Sequence, residues 1–303
     1  MKILVTGGAG FIGSHLIDRL VADGWGDILI LDNLFRGRLA NIAHHREDGR
    51  VQFRQADIRD YETVYDAAQG AELIFHLAAQ SNVMGAVIDV DYSFTTNVVG
   101  TYNVLKAARE CGVRRVMFTS SREAYGEARY LPVDEDHPLG SKNTYGASKV
   151  AGEMYCRVFS GNFGLETAVL RLSNVYGPRD YGRVIPLWLE RANRGENLIV
   201  YGGQQVIDFV WVDQVVEALL RASRADIVGQ PVNVGSGQGT PILDLAARIL
   251  DLIPTASRLD LQPARAVEVA KFTARVDRMR ELLNLEPPAD PLFGLSQLVM
   301  EYP

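Results

Sequence analysis

The first half of the chain alternates short apolar runs with longer stretches that have helical spacing. The apolar runs predict six strands, at residues 2–5, 27–31, 51–54, 72–77, 115–119 and 166–171. The stretches between them predict helices, notably at residues 14–22, 61–68, 95–111 and 145–163. Short buried strands that alternate with helices indicate a parallel sheet covered on both faces. Right-handed crossovers then give a doubly wound α/β layer.

The pattern loosens after about Pro178, where prolines become frequent. Helices are predicted here at residues 185–194, 212–223, 242–252 and 277–283. This part predicts a smaller α/β lobe packed on the C-terminal edge of the sheet, where doubly wound sheets bind ligands. We therefore expect a dinucleotide-binding domain at residues 1–175 and a substrate lobe at residues 176–303, with some segments returning to the sheet.

Composition and charge exclude several classes of protein. Of 303 residues, 47% are hydrophobic and 22% are charged, which is ordinary globular usage. The net charge of −6 and the lack of a basic run argue against a nucleic-acid partner. Two cysteines, Cys111 and Cys156, exclude a disulfide framework. No long apolar run predicts a membrane span, and glycines interrupt the N-terminal apolar stretch where a signal peptide would need it. A cytoplasmic location is expected.

A glycine-rich loop follows the first predicted strand and opens the first helix. The sequence from Gly7 to Gly13 satisfies the G-x-G-x-x-G pattern of Rossmann dinucleotide sites. Such a loop lies close to a pyrophosphate, and the following helix N-terminus favours the anion. Asp32 ends the second strand, 19 residues beyond Gly13, where a carboxylate holds ribose hydroxyls and favours NAD over NADP. Arg36 and Arg38 follow closely and are interpreted as a solvated loop.

A tyrosine and a lysine lie four residues apart at the start of a predicted helix. Tyr145 and Lys149 therefore share one face, where a cation can stabilise a phenolate for general-base work. The pair alone is common on helix surfaces. It gains weight from Ser121, which follows the strand at 115–119 and can hold a substrate oxygen beside Tyr145.

Several segments in order resemble one family. They are TGGAGFIGSHL, Ala56-Asp57-Ile58, His76-Leu77-Ala78-Ala79, Asn97, Gly100-Thr101, SSREAYG, YGASK, RLSNVYGP and Asn233-Val-Gly-Ser-Gly237. The chain resembles the extended short-chain dehydrogenases/reductases, specifically the NAD-dependent nucleotide-sugar epimerases and dehydratases of UDP-glucose 4-epimerase type. The similarity covers nearly the whole chain.

The resemblance implies a role for residues along the whole chain. By similarity, Ser121, Tyr145 and Lys149 form the catalytic group. The implied NAD-binding residues are Gly7, Gly10, Phe11, Ile12, Gly13, Asp32, Asn33, Asp57, Ile58, Leu77, Ala78, Ala79, Asn97, Thr119, Tyr145 and Lys149. The implied contacts to a nucleotide-sugar substrate are Ser121, Asn174, Arg183, Val184, Arg265 and Phe272, the last as a wall of the sugar pocket. A homodimer through the helices at 95–111 and 145–163 is also implied.

Two positions depart from the pattern of the epimerases. Where the family usually has arginine before Asp208, this chain has Ile207, so one contact to the diphosphate is missing unless Arg179, Arg183 or Arg265 compensates. Glu123 lies where dehydratases and decarboxylases carry a proton-transferring glutamate, but the neighbouring acid of many dehydratases is replaced by Arg122. An alternative interpretation makes Arg122 and Glu123 a surface ion pair.

The sequence is compatible with three functions, which are ranked here. Transient oxidation at sugar C4, as in a 4-epimerase, comes first. A 4,6-dehydratase or UDP-glucuronate decarboxylase that uses Glu123 comes second. A non-catalytic NAD-binding scaffold comes third, because of Ile207. The five histidines have no metal-like spacing, so no metal is expected, and His44 and His45 are interpreted as solvent-exposed.

Overall fold

The structure is a computed structural model that describes residues 1–302. Its strands are β1 (Lys2–Thr6), β2 (Asp27–Asp32), β3 (Val51–Gln55), β4 (Leu73–His76), β5 (Arg115–Ser121), β6 (Glu166–Leu172), β7 (Asn174–Tyr176), β8 (Leu198–Tyr201), β9 (Val206–Trp211), β10 (Val232–Val234), β11 (Gly239–Pro241) and β12 (Leu259–Gln262). The predicted strands of the first half all form, with ends that differ by one or two residues.

The helices are α1 (Phe11–Ala22), α2 (Tyr61–Ala68), α3 (Val83–Ile88), α4 (Val90–Phe94), α5 (Gly100–Glu110), α6 (Thr144–Phe163), α7 (Val184–Asn193), α8 (Val212–Ala222), α9 (Ile242–Leu252), α10 (Asp277–Leu283) and α11 (Leu295–Leu298). A π-helical turn, Thr95–Val99, leads into α5, so the helix predicted at 95–111 is not regular throughout. None of the helices within residues 1–302 is long and apolar enough to cross a bilayer.

Seven strands form one parallel sheet in the order β10-β6-β5-β4-β1-β2-β3. Side chains of β1 alternate between its two faces: Ile3 and Val5 join one hydrophobic core, and Leu4 joins the other. Each face is therefore covered, and the predicted doubly wound α/β fold is confirmed.

The smaller C-terminal lobe is also confirmed. It contains a three-stranded sheet, β11-β9-β7, and a two-stranded sheet, β12-β8. The chain returns to the large sheet at β10, which pairs with β6. The strand order reverses between β1 and β4, and the carboxyl ends of both strands open into the crevice where such sheets bind ligands.

Candidate active site

A cavity of about 860 Å³ lies along this edge, between the large sheet and the smaller lobe. Its volume is within the range of ligand sites in proteins. The predicted site residues that line it are Gly7, Gly10, Phe11, Ile12, Gly13, Asp32, Asn33, Ile58, Leu77, Ala78, Ala79, Thr119, Ser121, Glu123, Tyr145, Lys149, Asn174, Arg183, Val184 and Arg265. Three others, Asp57, Asn97 and Phe272, lie within the described chain but outside this lining.

The glycine loop is built for close approach of a ligand. Gly7 has a φ of +75°, and a Cβ on Gly13 would lie 2.2 Å from the carbonyl oxygen of Gly7. Helix α1 begins at Phe11, and no side chain caps it. The backbone N–H groups of its first turn therefore have no acceptor within the helix, and this end of the helix lies at the cavity. These features fit the pyrophosphate of a dinucleotide.

Asp32 is fixed by the loop that follows its strand. One carboxylate oxygen accepts the backbone N–H of Leu34 at 2.8 Å, and the other accepts that of Ala9 at 3.0 Å. Burial raises the pKa of the Asp32 carboxyl, and the two N–H groups oppose the rise. A carboxylate at the end of β2 fits ribose hydroxyls and disfavours a 2′-phosphate.

Asp57 and Asn97 act behind the cavity wall. Asp57 accepts the side-chain amide of Asn33 at 2.9 Å, and Asn33 lines the cavity. Asn97 bonds the backbone N–H and carbonyl of Gln80 and the hydroxyl of Ser148. Asn97 thereby ties the segment after β4 to α6, which places both at the cavity.

Tyr145, Ser121 and Lys149 converge at the inner end of the cavity. Helix α6 presents Tyr145 and Lys149 from successive turns, and Ser121 is the last residue of β5. The Lys149 ammonium donates to the carbonyl oxygen of Thr119 at 2.8 Å and lies 5.7 Å from the centre of the Tyr145 ring. The helix is capped by Asn143, whose side chain accepts the N–H of Gly146 at 2.9 Å.

Burial dominates the electrostatics of this group. It raises the pKa of Tyr145 to about 12, while Arg183, the Ser121 hydroxyl and Arg122 oppose the rise. It lowers the pKa of Lys149 to about 8. The sequence predicted that Lys149 would lower the pKa of Tyr145, but the opposing cations in the structure are arginines. A phenolate at Tyr145 would therefore need further positive charge, which an oxidised nicotinamide would supply when NAD is bound.

Arg122 and Glu123 form a buried pair, so the surface interpretation is wrong. The Arg122 guanidinium lies 2.9 Å from one oxygen of Glu123, and the two side chains are 12% and 7% exposed. The other Glu123 oxygen accepts the amide of Asn143 at 2.7 Å. Arg122 also donates to Asn174 at 2.5 Å. The glutamate is thus held by two partners.

Of the residues predicted for the substrate end of the cavity, Arg265 lines it and Phe272 does not. Ile207 lines the cavity at the position of the missing arginine. The Arg265 guanidinium lies 3.6 Å from the centre of the Tyr201 ring and 3.2 Å from Glu268. Phe272 does not form a pocket wall: it is 1% exposed and stacks on Tyr125 inside the hydrophobic core.

The structure corrects the surface interpretation of the two arginines and of His45, and it confirms that of His44. Arg36 and Arg38 are not simply solvated, because both contact Tyr181 of the smaller lobe. His44 and His45 both lie 2.7 Å from one oxygen of Asp18. The His44 side chain is 49% exposed, as predicted, whereas the His45 side chain is 12% exposed.

Asp18, His44 and His45 form the one group within residues 1–302 whose ligand atoms lie near enough to one another to hold a metal ion. The second oxygen of Asp18 accepts Arg179 at 2.7 Å. Hydrogen bonds thus engage both carboxylate oxygens, and the group anchors Arg179 beside the cavity.

Two cavity features were not predicted from the sequence. Asn143 could have been found from its position just before the helix of Tyr145, because asparagine is a preferred N-cap. Asp180 lines the cavity with a buried, unpartnered oxygen, and burial raises its pKa to about 6. No local pattern marks Asp180, since its burial depends on Tyr302 near the end of the chain.

The fold and the cavity define an enzyme of the Rossmann type with a dinucleotide-binding cavity that Ser121, Tyr145 and Lys149 line. The NAD dependent epimerase/dehydratase family matches residues 3–235. A UDP-glucose 4-epimerase from Mycolicibacterium smegmatis is 37% identical over 99% of this chain and 97% of that protein.

Solved structures of an epimerase and of a dehydratase are also similar to this chain. The UDP-glucose 4-epimerase of Thermotoga maritima, with UDP-glucose, has a TM-score of 0.94 at 34% identity, covering 100% of this chain and 98% of that one. The dTDP-glucose 4,6-dehydratase DesIV of Streptomyces venezuelae, with NAD bound, has a TM-score of 0.95 at 29% identity, covering 100% and 97%. The chain belongs to the NAD-dependent epimerase/dehydratase family, and its cofactor is NAD.

Proposed function

We propose that the protein is a nucleotide-sugar 4-epimerase whose substrate is a UDP-hexose such as UDP-glucose or UDP-galactose. The observation that carries the proposal is the inner end of the cavity. Tyr145, Ser121 and Lys149 lie together there, while Glu123 is bound to Arg122 and Asn143. Tyr145, Ser121 and Lys149 supply the proton acceptor, the hydrogen-bond donor and the positive charge that reversible oxidation of a hydroxyl needs. The similarity to UDP-glucose 4-epimerases supports the UDP-hexose.

The chain's own residues divide the work of proton transfer and positioning. Tyr145, as the phenolate, takes the proton of the C4 hydroxyl and later returns it. The Ser121 hydroxyl donates to the same sugar oxygen. Lys149 adds positive charge one helical turn away, and its bond to Thr119 fixes α6 against β5. Bound NAD supplies the hydride acceptor and donor. The residues that would hold it are those of the glycine loop, Asp32 and the segment after β4.

A dehydratase or decarboxylase is the second candidate, because Glu123 lines the cavity beside Ser121. A free glutamate there would move a proton at C5 of an oxidised sugar. Against this, Glu123 is held by Arg122 and Asn143, and Arg122 cannot protonate a leaving hydroxyl. We therefore rank elimination and decarboxylation below epimerisation.

Mass spectrometry of a nucleotide-sugar panel, incubated with the purified protein and no added NAD, tests the proposal. A product of unchanged mass and inverted C4 is expected. Loss of water or of carbon dioxide would transfer the assignment to the second candidate and give Glu123 the catalytic role. Bound NAD without conversion of any sugar would favour a non-catalytic scaffold.

We also propose a homodimer that covers the outer faces of α5 and α6. Exposed apolar side chains lie there, including Tyr102, Met154, Tyr155 and Val158. The ring centres of Tyr102 and Tyr155 are 5.5 Å apart. A second copy would bury this patch. Sedimentation that gives a monomer mass at every concentration would contradict it. The division at residues 1–175 and 176–303 and a cytoplasmic location complete the proposal.

A further inference from the structure

Two loops from different halves of the chain meet at the cavity, and catalysis as described above does not use their contact. One loop, residues 33–38, follows β2 and wraps the Asp32 carboxylate. The other, residues 177–183, follows β7. We propose that their contact, formed by Arg36, Arg38 and Tyr181 and called the clasp below, retains NAD in the cavity. The proposal rests on NAD as the cofactor and does not depend on which sugar is converted.

The clasp combines a stack and a hydrogen bond. The Arg38 guanidinium carbon lies 3.5 Å from the centre of the Tyr181 ring. The Arg36 guanidinium donates to the backbone carbonyl of Tyr181 at 3.1 Å. All three residues line the cavity, so the contact forms part of its wall. A guanidinium placed over a tyrosine face is an attractive arrangement that needs the ring but not its hydroxyl.

The first loop is tied directly to the glycine loop. The backbone N–H of Arg38 donates to the carbonyl oxygen of Ala9 at 2.9 Å, and the Asn41 amide donates to the same oxygen. Leu34 has a φ of +62°, a conformation that non-glycine residues rarely adopt. Such backbone persists only where its surroundings fix it, here through the bond from its N–H to Asp32.

The second loop is fixed at its base by separate elements. His15 of α1 bonds the carbonyl oxygen of Pro178 at 3.0 Å, and Arg179 bonds Asp18 of the same helix at 2.7 Å. The Tyr302 hydroxyl lies 2.8 Å from the carbonyl oxygen of Asp180. Arg179 has a φ of +63°, so this loop also carries a left-handed residue. The base of the loop is therefore held independently of its tip at Tyr181.

This arrangement separates retention of the cofactor from catalysis. The clasp links the side of the cavity that holds the pyrophosphate to the loop of the smaller lobe, while Tyr145, Ser121 and Lys149 lie at the inner end. A dinucleotide on the glycine loop is enclosed on this side as long as the clasp is closed. An enzyme that returns its hydride within each cycle needs NAD to stay bound between turnovers. The clasp meets that need with residues that take no part in the proposed proton transfer.

The test is the rate at which bound NAD exchanges with isotopically labelled NAD in solution. Tyr181→Ala and Arg38→Ala should each exchange roughly two- to fivefold faster than the parent, the range expected for a partly exposed cation–ring contact. The double variant should exchange no faster than the stronger single variant, because both remove one contact. Tyr181→Phe keeps the ring and should exchange at the parent rate.

Arg46→Ala is the matched control, since Arg46 is an exposed arginine farther along the connection between β2 and β3 and makes no side-chain hydrogen bond or ion pair with the described residues. It should exchange like the parent. Parent-like exchange in Tyr181→Ala and Arg38→Ala, additive effects in the double variant, or fast exchange in Tyr181→Phe would each overturn the clasp. Exchange is measured without sugar, so failure of the epimerase assignment would leave this result unaffected. Thermal unfolding of each variant separates loss of NAD from loss of fold.

Discussion

The two ends of the cavity are constructed differently. At the cofactor end, apart from the clasp, the contacts come from backbone and small residues, such as Gly7, Gly13 and Ala78, whose close packing leaves no room for larger side chains. At the sugar end they come from long side chains that bind one another, as Arg122 binds Glu123 and Asn174. The cofactor end follows from the fold itself. The sugar end depends on individual side chains.

This contrast determines which substitutions each end tolerates. A glycine packed against a carbonyl oxygen cannot be replaced without moving backbone, so the glycine loop tolerates no side chain at Gly13. A network of side chains can exchange one partner for another, so substrate preference can change while the fold stays the same. Ile207, where the family resemblance implies an arginine, would be an exchange of this kind.

Gly13→Ala should have the largest effect. Its Cβ would lie 2.2 Å from the Gly7 oxygen and 2.7 Å from the Gly8 Cα, both backbone atoms. We expect the purified variant to carry no NAD and to lose about 3 kcal/mol of unfolding free energy. Cofactor content and chemical denaturation check this. Gly161→Ala is the control, because a Cβ there meets nothing within 4 Å and should leave NAD content unchanged.

Tyr145→Phe tests the point where the two ends meet. Removing the hydroxyl removes the proton acceptor, so turnover should fall about 10²- to 10⁴-fold. NAD content should stay at the parent level, because the glycine loop and Asp32 are untouched. Turnover and cofactor content are measured on the same preparation. Parent-like turnover would refute the catalytic assignment.

Ile207→Arg changes the sugar end and leaves the cofactor end intact. Ile207 lines the cavity, and an arginine there adds a charged donor to a diphosphate. A charged hydrogen bond contributes about 1.5–3 kcal/mol, so KM should fall about 10- to 100-fold with kcat little changed. Steady-state kinetics with the converted sugar give both constants. An unchanged KM would show that the remaining arginines already hold the diphosphate, or that the substrate lacks one.

Lys149 gives the smallest effect, visible as a pH dependence of stability. Its pKa is about 8 in the folded protein against 10.5 for an unperturbed lysine, because burial disfavours the cation. Between these values the unfolded chain binds more protons, so unfolding free energy rises with pH. Relative to Lys149→Met, the parent should gain about 1 kcal/mol from pH 8 to pH 9. A constant difference would place Lys149 in a more solvated site.

The features that could be predicted from the sequence are those set by neighbouring residues. Strand, glycine loop and helix follow one another from Lys2 to Ala22, and Tyr145 and Lys149 share a helix face because they are four residues apart. These relations hold in any packing of the elements, which is why the fold could be predicted and why the glycine loop, Tyr145 and Lys149 line one cavity.

The rest depends on contacts between distant parts of the chain. Arg36 and Tyr181 are 145 positions apart, so nothing local separates a clasp from a solvated loop. Phe272 has the residue type of a pocket wall, but its stack on Tyr125 turns it into the core. The Glu123 side chain is fixed because Asn143 donates a hydrogen bond to it and Arg122 forms an ion pair with it.

The most direct test of reversible oxidation in this cavity follows the hydrogen at sugar C4. A nucleotide sugar deuterated at C4 is incubated with the protein and no added NAD, and the product is analysed by mass and by NMR. We predict a product with inverted C4 that keeps its deuterium, because the hydride is removed and returned within one closed site. A product that has lost the label at C4, or a product lighter by water or carbon dioxide, would contradict this mechanism.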